Sequence, residues 1–268
     1  MNFFGKLRHK AAAIGETMKF DNRWQLLVEE FTSGRTLRVY RLGAIEAVAD
    51  HATGDHLGGI RGALASDEYR SLLKGVELAT VRNVLDLGAH VGAFPLLLKL
   101  LGAPLENVIC VEPNPRSLSK LKFNLEHNRI PAKVVNAAVS DQIGEATLHA
   151  GTTSTGFSLL ADHPNRVRDS FTVATTTVQA LIAEYFPAGN VDLCKMDIEG
   201  AEFEVMESAP PGVLQKCRHV ICEIHPAPER TMEGFGDLLR RAGFIPAPGQ
   251  PAAASHTSLF VNTNAGKP

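Results

Sequence analysis

From Val81 onward the chain alternates short, wholly apolar runs with stretches of helical periodicity, and no other feature restricts its fold as strongly. Val84-Leu85-Asp86-Leu87 precedes a helical pattern from Phe94 to Leu101. Val108-Ile109-Cys110-Val111 precedes another from Leu118 to Leu125, and Lys133-Val134-Val135-Asn136 supplies a third strand. Strands without a polar face have to be covered on both sides, so this βαβα order predicts a doubly wound α/β fold with a parallel sheet and helices on each face. The pattern resumes with Val191 to Asp197, a helix over Ala201 to Glu207 and the strand His219 to Ile224. A helix near Phe235 to Arg241 and the run Ser258-Leu259-Phe260-Val261 complete the sheet. Between the two halves, Ala146-Thr147-Leu148-His149 and the alternating Phe171 to Thr175 predict edge strands around a mobile loop, a candidate lid. Pro246 to Ala254 reads as a connecting loop.

Residues 1 to about 80 are less regular. Ser66-Asp67-Glu68-Tyr69 reads as a helix cap ahead of Tyr69, Leu72, Leu73 and Val76, which share one apolar face. This divides the chain into an N-terminal extension, 1–65, that could bind an acceptor or mediate homo-oligomerisation, and an α/β domain, 66–268. The 268 residues are 44% hydrophobic, enough for a sizeable core. A net charge of -2 offers a polyanion no attraction, so nucleic acid is not an expected partner. Cys110, Cys194, Cys217 and Cys222 form no CxxC pair and are expected as buried thiols in a reducing compartment. Lys6, Arg8, Lys10 and Glu16 interrupt the one apolar N-terminal segment, so no signal peptide or membrane span is expected, and a cytoplasmic location is. Phe3 and Phe4 beside these basic residues could lie on a membrane surface, but a frayed solvated terminus is the preferred reading. His51 and His56 have no third ligand at metal spacing, and an exposed loop accounts for them.

The strongest local signal is Asp86-Leu87-Gly88-Ala89-His90-Val91-Gly92, between a buried strand and a helix. Glycine there lets backbone and ligand approach closely, and the helix amides beyond favour an anionic group. The D-x-G-x-x-x-G spacing lacks the pyrophosphate cradle of G-x-G-x-x-G, which disfavours a dinucleotide. The smaller amino-acid end of S-adenosylmethionine suits it better. Asp86 could serve its ammonium directly or through water, and His90 could contact the amino acid or stand as a solvated first-turn residue. Glu112 ends the next strand, where a carboxylate can accept both hydrogen bonds of a ribose diol. Pro113-Asn114-Pro115 turns the chain, and Asn136 with Ala137 could border an adenine. A plain structural turn and an Asn strand cap are the competing readings. The candidate cofactor residues are Asp86, Gly88, Ala89, His90, Gly92, Glu112, Asn114, Asn136 and Ala137.

A second group, Lys195-Met196-Asp197-Ile198-Glu199-Gly200-Ala201-Glu202, lies at another strand end. In an open α/β sheet such ends face the ligand crevice, so Lys195, Asp197 and Glu199 converge there. Glu223 and His225 lie two apart in an extended segment and share a face. Methyl transfer to a hydroxyl needs positioning and proton removal, and a His with a pKa near ~6.5 is the natural base. His225 is therefore the first candidate base, with Lys195, Asp197, Glu199 and Glu223 around it; the competing reading is a histidine that closes the strand end. Asp197 and Glu199 could instead hold a divalent cation, completed by Glu223 or His225.

With these residues assembled, the chain resembles the FkbM family of S-adenosylmethionine-dependent methyltransferases over about residues 66 to 262. The resemblance rests on Val84 to Gly92, Val111-Glu112-Pro113-Asn114, Asn136 to Asp141, Lys195 to Glu202 and Glu223-Ile224-His225. It implies a Rossmann-like, seven-stranded class I methyltransferase sheet with helices on both faces, and O-methylation of a hydroxyl on a sugar, glycolipid or secondary metabolite. Gln179 stands where such proteins often carry Asp, which bears on a helix start more than on the chemistry. The first 65 residues and the Ser154 to Asp169 loop are the expected determinants of acceptor choice. Two alternatives stay open: an NAD-dependent oxidoreductase using the same loop, and a non-catalytic ligand-binding protein. RNA methylation is disfavoured by the charge balance.

Overall fold

The computed structural model describes residues 12–32, 34, 36–151, 156–159, 166–187, 190–209, 212–225, 229–249 and 256–264. The chain runs α1 (Arg23–Thr32), β1 (Leu37–Leu42), β2 (Ile45–Asp50), a π-helical turn (His56–Arg61) continuous with α2 (Gly62–Ala65), and α3 (Glu68–Leu73). There follow β3 (Asn83–Leu87), α4 (Ala93–Leu100), β4 (Asn107–Val111), α5 (Pro115–His127), β5 (Ala132–Val135), β6 (Ala138–Val139), β7 (Gly144–Gly151) and β8 (Arg166–Thr176). The second half holds α6 (Val178–Tyr185), β9 (Val191–Met196), α7 (Glu202–Ser208), β10 (Cys217–Glu223), α8 (Met232–Arg241), β11 (Phe244–Pro246) and β12 (Thr257–Asn262).

Seven strands form one sheet in the order β11-β12-β10-β9-β3-β4-β5. The expected parallel arrangement holds from β5 to β10, but β12 runs antiparallel to both β10 and β11. That departure was invisible in the apolar pattern, because a strand buried on both faces reads the same in either direction. Successive residues of the central strands enter opposite cores. Val84, Cys110, Leu193 and Ile221 pack on one side with α4, α5 and the N-terminal unit. Leu85, Ile109, Cys194 and Val220 pack on the other with α6, α7 and α8. All four cysteines are buried and unbridged, and no helix among the described residues is long and apolar enough to cross a membrane.

The N-terminal unit shares the first core: Phe20, Leu26, Tyr40 and Ile45 are in the cluster that contains Leu96 and Leu121. Its β1–β2 hairpin, which the sequence reading did not resolve, buries Ile45, Ala47 and Ala49 at the period of two that marks a half-covered strand. Side-chain amides of α5 close the edge of β2. Asn124 accepts from Val48 N at 2.8 Å and donates to Val48 O at 3.1 Å, and Asn128 does the same for Glu46 at 3.0 and 2.7 Å. These asparagines satisfy strand groups that would otherwise be left unpaired.

The helix expected after Ser66 starts at Glu68, where Ser66 Oγ accepts the Glu68 N–H at 3.4 Å and Asp67 makes no capping bond. The loop with His51 and His56 is half-buried, contrary to the expected exposure. The two rings stack at 3.7 Å, and Tyr40 Oη lies 2.7 Å from His51 Nε2. Hairpin and helices enclose the loop, and local sequence does not report such long-range packing. Edge strands appear as β6, β7 and β8 in a separate three-stranded sheet. Part of the candidate lid, and the terminal Phe3, Phe4, Lys6, Arg8 and Lys10, lie outside the described residues.

Candidate active site

Chain order reverses at β3, which sits between β4 and β9. The loops leaving its C-terminal end and those of its neighbours therefore diverge and leave a crevice. Gly88 follows β3 at φ +79°, and a Cβ there would lie 1.8 Å from Asp197 O, so only glycine lets the β3 and β9 ends come together. Gly88 N and Ala89 N both donate to Val111 O at 3.0 Å, which ties the same loop to β4. Gly92, at φ +83°, opens α4 against Leu121.

The Glu112 carboxylate is nine-tenths or more buried and turned toward this loop. Its Oε2 accepts the His90 N–H at 2.6 Å and its Oε1 the Asn114 N–H at 2.8 Å. His90 itself adopts φ +49°, a left-handed conformation that few residues other than glycine take, His being with Asn and Asp among the more tolerant. Burial raises the Glu112 pKa, opposed by His90 and by the two backbone donors. Each oxygen keeps a lone pair for a further donor.

At the β9 end, Lys195 Nζ lies 3.1 Å from Asp197, 3.6 Å from Asp86 and 3.0 Å from Gly88 O. Burial favours the neutral amine, but Asp197 and Asp86 overcome it and hold Lys195 charged well above the usual lysine range. Beyond it, Glu199 adopts φ +53° and Gly200 φ +105°. The fully buried Glu202 secures this strained turn by accepting from Ile198 N at 3.0 Å and from Gly200 N at 3.1 Å. Glu202 Oε1 also lies 3.0 Å from His225 Nδ1, while Glu199 Oε2 lies 3.6 Å from His225 Nε2.

These contacts change the charge expected of His225. Burial alone would lower its pKa, but the hydrogen bond to Glu202 and the charges of Glu202, Glu199 and Asp197 raise it to about 9. The ring is an imidazolium at neutral pH, not the free base with an unperturbed pKa that the sequence suggested. Burial and the neighbouring Asp197 raise Glu199 to about 8 and Glu223 to about 7. Asp197, Glu223 and His225 each offer a ligand atom, all within 4.8 Å of one another, a spacing that a divalent cation could bridge.

One open cleft of about 860 Å³, solvent at its mouth included, joins the two groups. Of the residues singled out from sequence, Gly88, Ala89, His90, Glu112, Ala137, Lys195, Asp197 and Glu199 line it. Asp86 is fully buried, and its carboxylate makes no hydrogen bond among the described residues, only the contact with Lys195. Burial raises its pKa to about 6. Asn114 is a helix cap: its side chain accepts from Arg116 N at 3.0 Å and donates to Ser117 Oγ at 3.1 Å. Asn136 follows β5 and is not part of the cleft wall, where Ala137, Ala138 and Val139 stand instead. Glu223 and His225 are close to Asp197 but are not among the residues that line the cleft.

The structure adds residues that sequence reasoning did not assign to the site. Gly59, Ala63 and Tyr69 reach the cleft from the N-terminal side, and Leu148, Phe157 and Leu159 from the β7–β8 sheet. Tyr69 was legible only as a member of an apolar helical face. Glu202 stood in a quoted motif, and its place in the first turn of a helix was the available clue. Ser158 Oγ donates to Glu199 O at 2.5 Å, which fastens the added sheet to the strained turn.

Residues 86–246 match the family described as the methyltransferase FkbM domain. The chain is 27% identical over 221 residues to the 31-O-demethyl-FK506 methyltransferase FkbM of Streptomyces tacrolimicus, covering 72% of this chain and 81% of that protein. It is 25% identical over 225 residues to the AMB antimetabolite synthetase AmbE of Pseudomonas aeruginosa, covering 69% of this chain but only 10% of that protein. Among solved structures, the methyltransferase FkbM of Methylobacillus flagellatus aligns with a TM-score of 0.45 at 13% identity, over 90% of this chain and 60% of that one. A SAM-dependent methyltransferase from Agrobacterium tumefaciens gives the same TM-score and identity over 84% of this chain and 69% of that one.

Proposed function

The chain belongs to the FkbM methyltransferase family, and from that premise we propose that it is an S-adenosylmethionine-dependent O-methyltransferase acting on a hydroxyl of a small molecule such as a sugar or natural product. The observation that carries this reading is Glu112. Its carboxylate is clamped to the glycine loop through His90 N and Asn114 N, and it lines the same cleft as Asp197 and Glu199.

The residues present fit the cofactor. Glu112 keeps acceptor capacity for a ribose diol. Val111, Ala137, Ala138, Val139, Leu148 and Phe157 give an apolar wall suited to a flat base. Gly88, Ala89 and His90 line the stretch toward the reaction end, where Lys195 and Asp197 stand. When bound, S-adenosylmethionine supplies an electrophilic methyl carbon.

Asp197 and Glu199 face the acceptor side and hold its hydroxyl in line. His225 is charged at neutral pH and does not line the cleft. Only in its neutral form, its own proton lost to solvent, does it take the acceptor proton at Nε2 by way of Glu199, 3.6 Å away, while its Nδ1–H stays on Glu202. Lys195 supplies a positive charge beside Asp197 and Asp86, and this reading assigns the work at Asp197 to the lysine and not to a divalent cation. The name of the Streptomyces tacrolimicus relative places its methyl group on an oxygen, which supports a hydroxyl acceptor here.

Isothermal titration with S-adenosylhomocysteine and with NAD tests the cofactor, and a methyl-transfer screen over sugars and polyketide hydroxyls tests the reaction. Binding of the homocysteine, weakened by Glu112→Gln, is the expected result. Preference for NAD, or affinity indifferent to Glu112→Gln, would overturn the reading.

A further inference from the structure

Asp55 belongs to the loop between β2 and the π-helical turn, outside the matched residues 86–246. It is fully buried, yet it is not in the cleft. Its Oδ2 accepts from Asp50 N at 2.9 Å and pairs with Lys120 Nζ at 2.8 Å. Its Oδ1 accepts from Thr53 Oγ1 at 2.8 Å and lies 3.3 Å from His90 Nε2. These contacts pin the carboxylate from the N-terminal unit and α5 together and set it against the ring of His90, which lines the cleft.

His90 joins two functions in one residue. Its ring meets Asp55, while its backbone N–H, held in the left-handed conformation, donates to Glu112 Oε2 at 2.6 Å. The ring has little freedom, because a Cβ on the adjoining Gly59 would lie 2.8 Å from His90 Nδ1. We infer that Asp55 is a positioning residue for ribose recognition: by anchoring the His90 ring it holds the His90 N–H, and so the Glu112 carboxylate, in the orientation that receives the diol. The N-terminal unit is thereby part of the cofactor site and not only of the acceptor side. This rests on the proposed cofactor.

The test compares the affinities of S-adenosylhomocysteine and its 2′-deoxy analogue by isothermal titration, in wild type and in Asp55→Asn. Wild type is expected to favour the full ribose by about tenfold or more, as for a hydrogen bond to a charged group, and Asp55→Asn to reduce that ratio to about threefold or less. A merely structural role for Asp55 would weaken both ligands equally and leave the ratio intact. Because Asp55→Asn leaves Lys120 without its partner and could unfold the chain, His90→Asn provides a second variant. Asn tolerates the left-handed conformation and keeps the backbone N–H, but it loses the ring. It should lower the ratio in the same way. An unchanged ratio in His90→Asn, or a wild type indifferent to the 2′-hydroxyl, overturns the inference. A wild type that binds neither ligand removes the cofactor reading itself.

Discussion

Glu202→Gln neutralises the anion that lies 3.0 Å from His225 Nδ1 while keeping a side chain of nearly the same shape. The rise of the His225 pKa from 6.5 to about 9 amounts to about 3 kcal/mol of preference for the imidazolium. An opposite charge at this range moves a pKa by about 1–3, so Glu202→Gln should bring His225 down to about 7. The native pKa lies above that of the unfolded chain. The charged ring therefore stabilises the fold fully below about 6.5, and this contribution is lost as the pH rises through about 9. Titration of the imidazole ¹⁵N resonances, assigned with His225→Gln, reads the pKa directly and requires no acceptor. Urea unfolding at several pH values between 6 and 9 reads the linked stability, whose fall over this range should be shallower in Glu202→Gln. A wild-type His225 that titrates near 6.5, or one unmoved by Glu202→Gln, would refute the reasoning.

Four further outcomes are expected. His225→Ala should lower methyl transfer about a hundredfold while sparing S-adenosylhomocysteine affinity; equal losses in both would show a structural role. Asn124→Ala removes side-chain bonds to Val48 N, Val48 O and Val91 O, and at about 1 kcal/mol each should cost about 3 kcal/mol in urea unfolding. His51 and His56 have pKa values lowered to about 4, by burial first, then by His56 and Arg38 for His51 and by Arg61 and Arg38 for His56. Their native values lie below the unfolded ones, so stability should drop as the pH falls from about 6.5 through 4, and melting temperatures of His56→Gln should show a smaller drop. Methyl transfer should be unchanged by EDTA, since Lys195 already compensates Asp197; loss on chelation with recovery on adding Mg²⁺ would replace acid–base work by metal assistance.

From Val81 to Ile224 the order of the main-sheet elements, and the glycine and carboxylates of the cleft, were legible in one dimension because each depends on local rules. Burial on both faces leaves runs with no polar alternation, as in Val108 to Val111, and a ligand loop at a strand end needs glycine where backbones meet. Gly88, Glu112, Asp197 and Glu199 could be named from those rules alone. What the amino-acid order could not report is what three-dimensional proximity does to charge and orientation. Asp86 reads as a ligand carboxylate but lies beneath Lys195, and Asn136 reads as a wall that its neighbour Ala137 supplies. The protonation of His225 depends on Glu202, 23 positions earlier, and the setting of His90 depends on Asp55 in a loop that reads as exposed. Periodicity records which side of an element is apolar. Burial, Coulomb interaction and hydrogen bonding act between elements that only packing brings together, and these decided the state of the site.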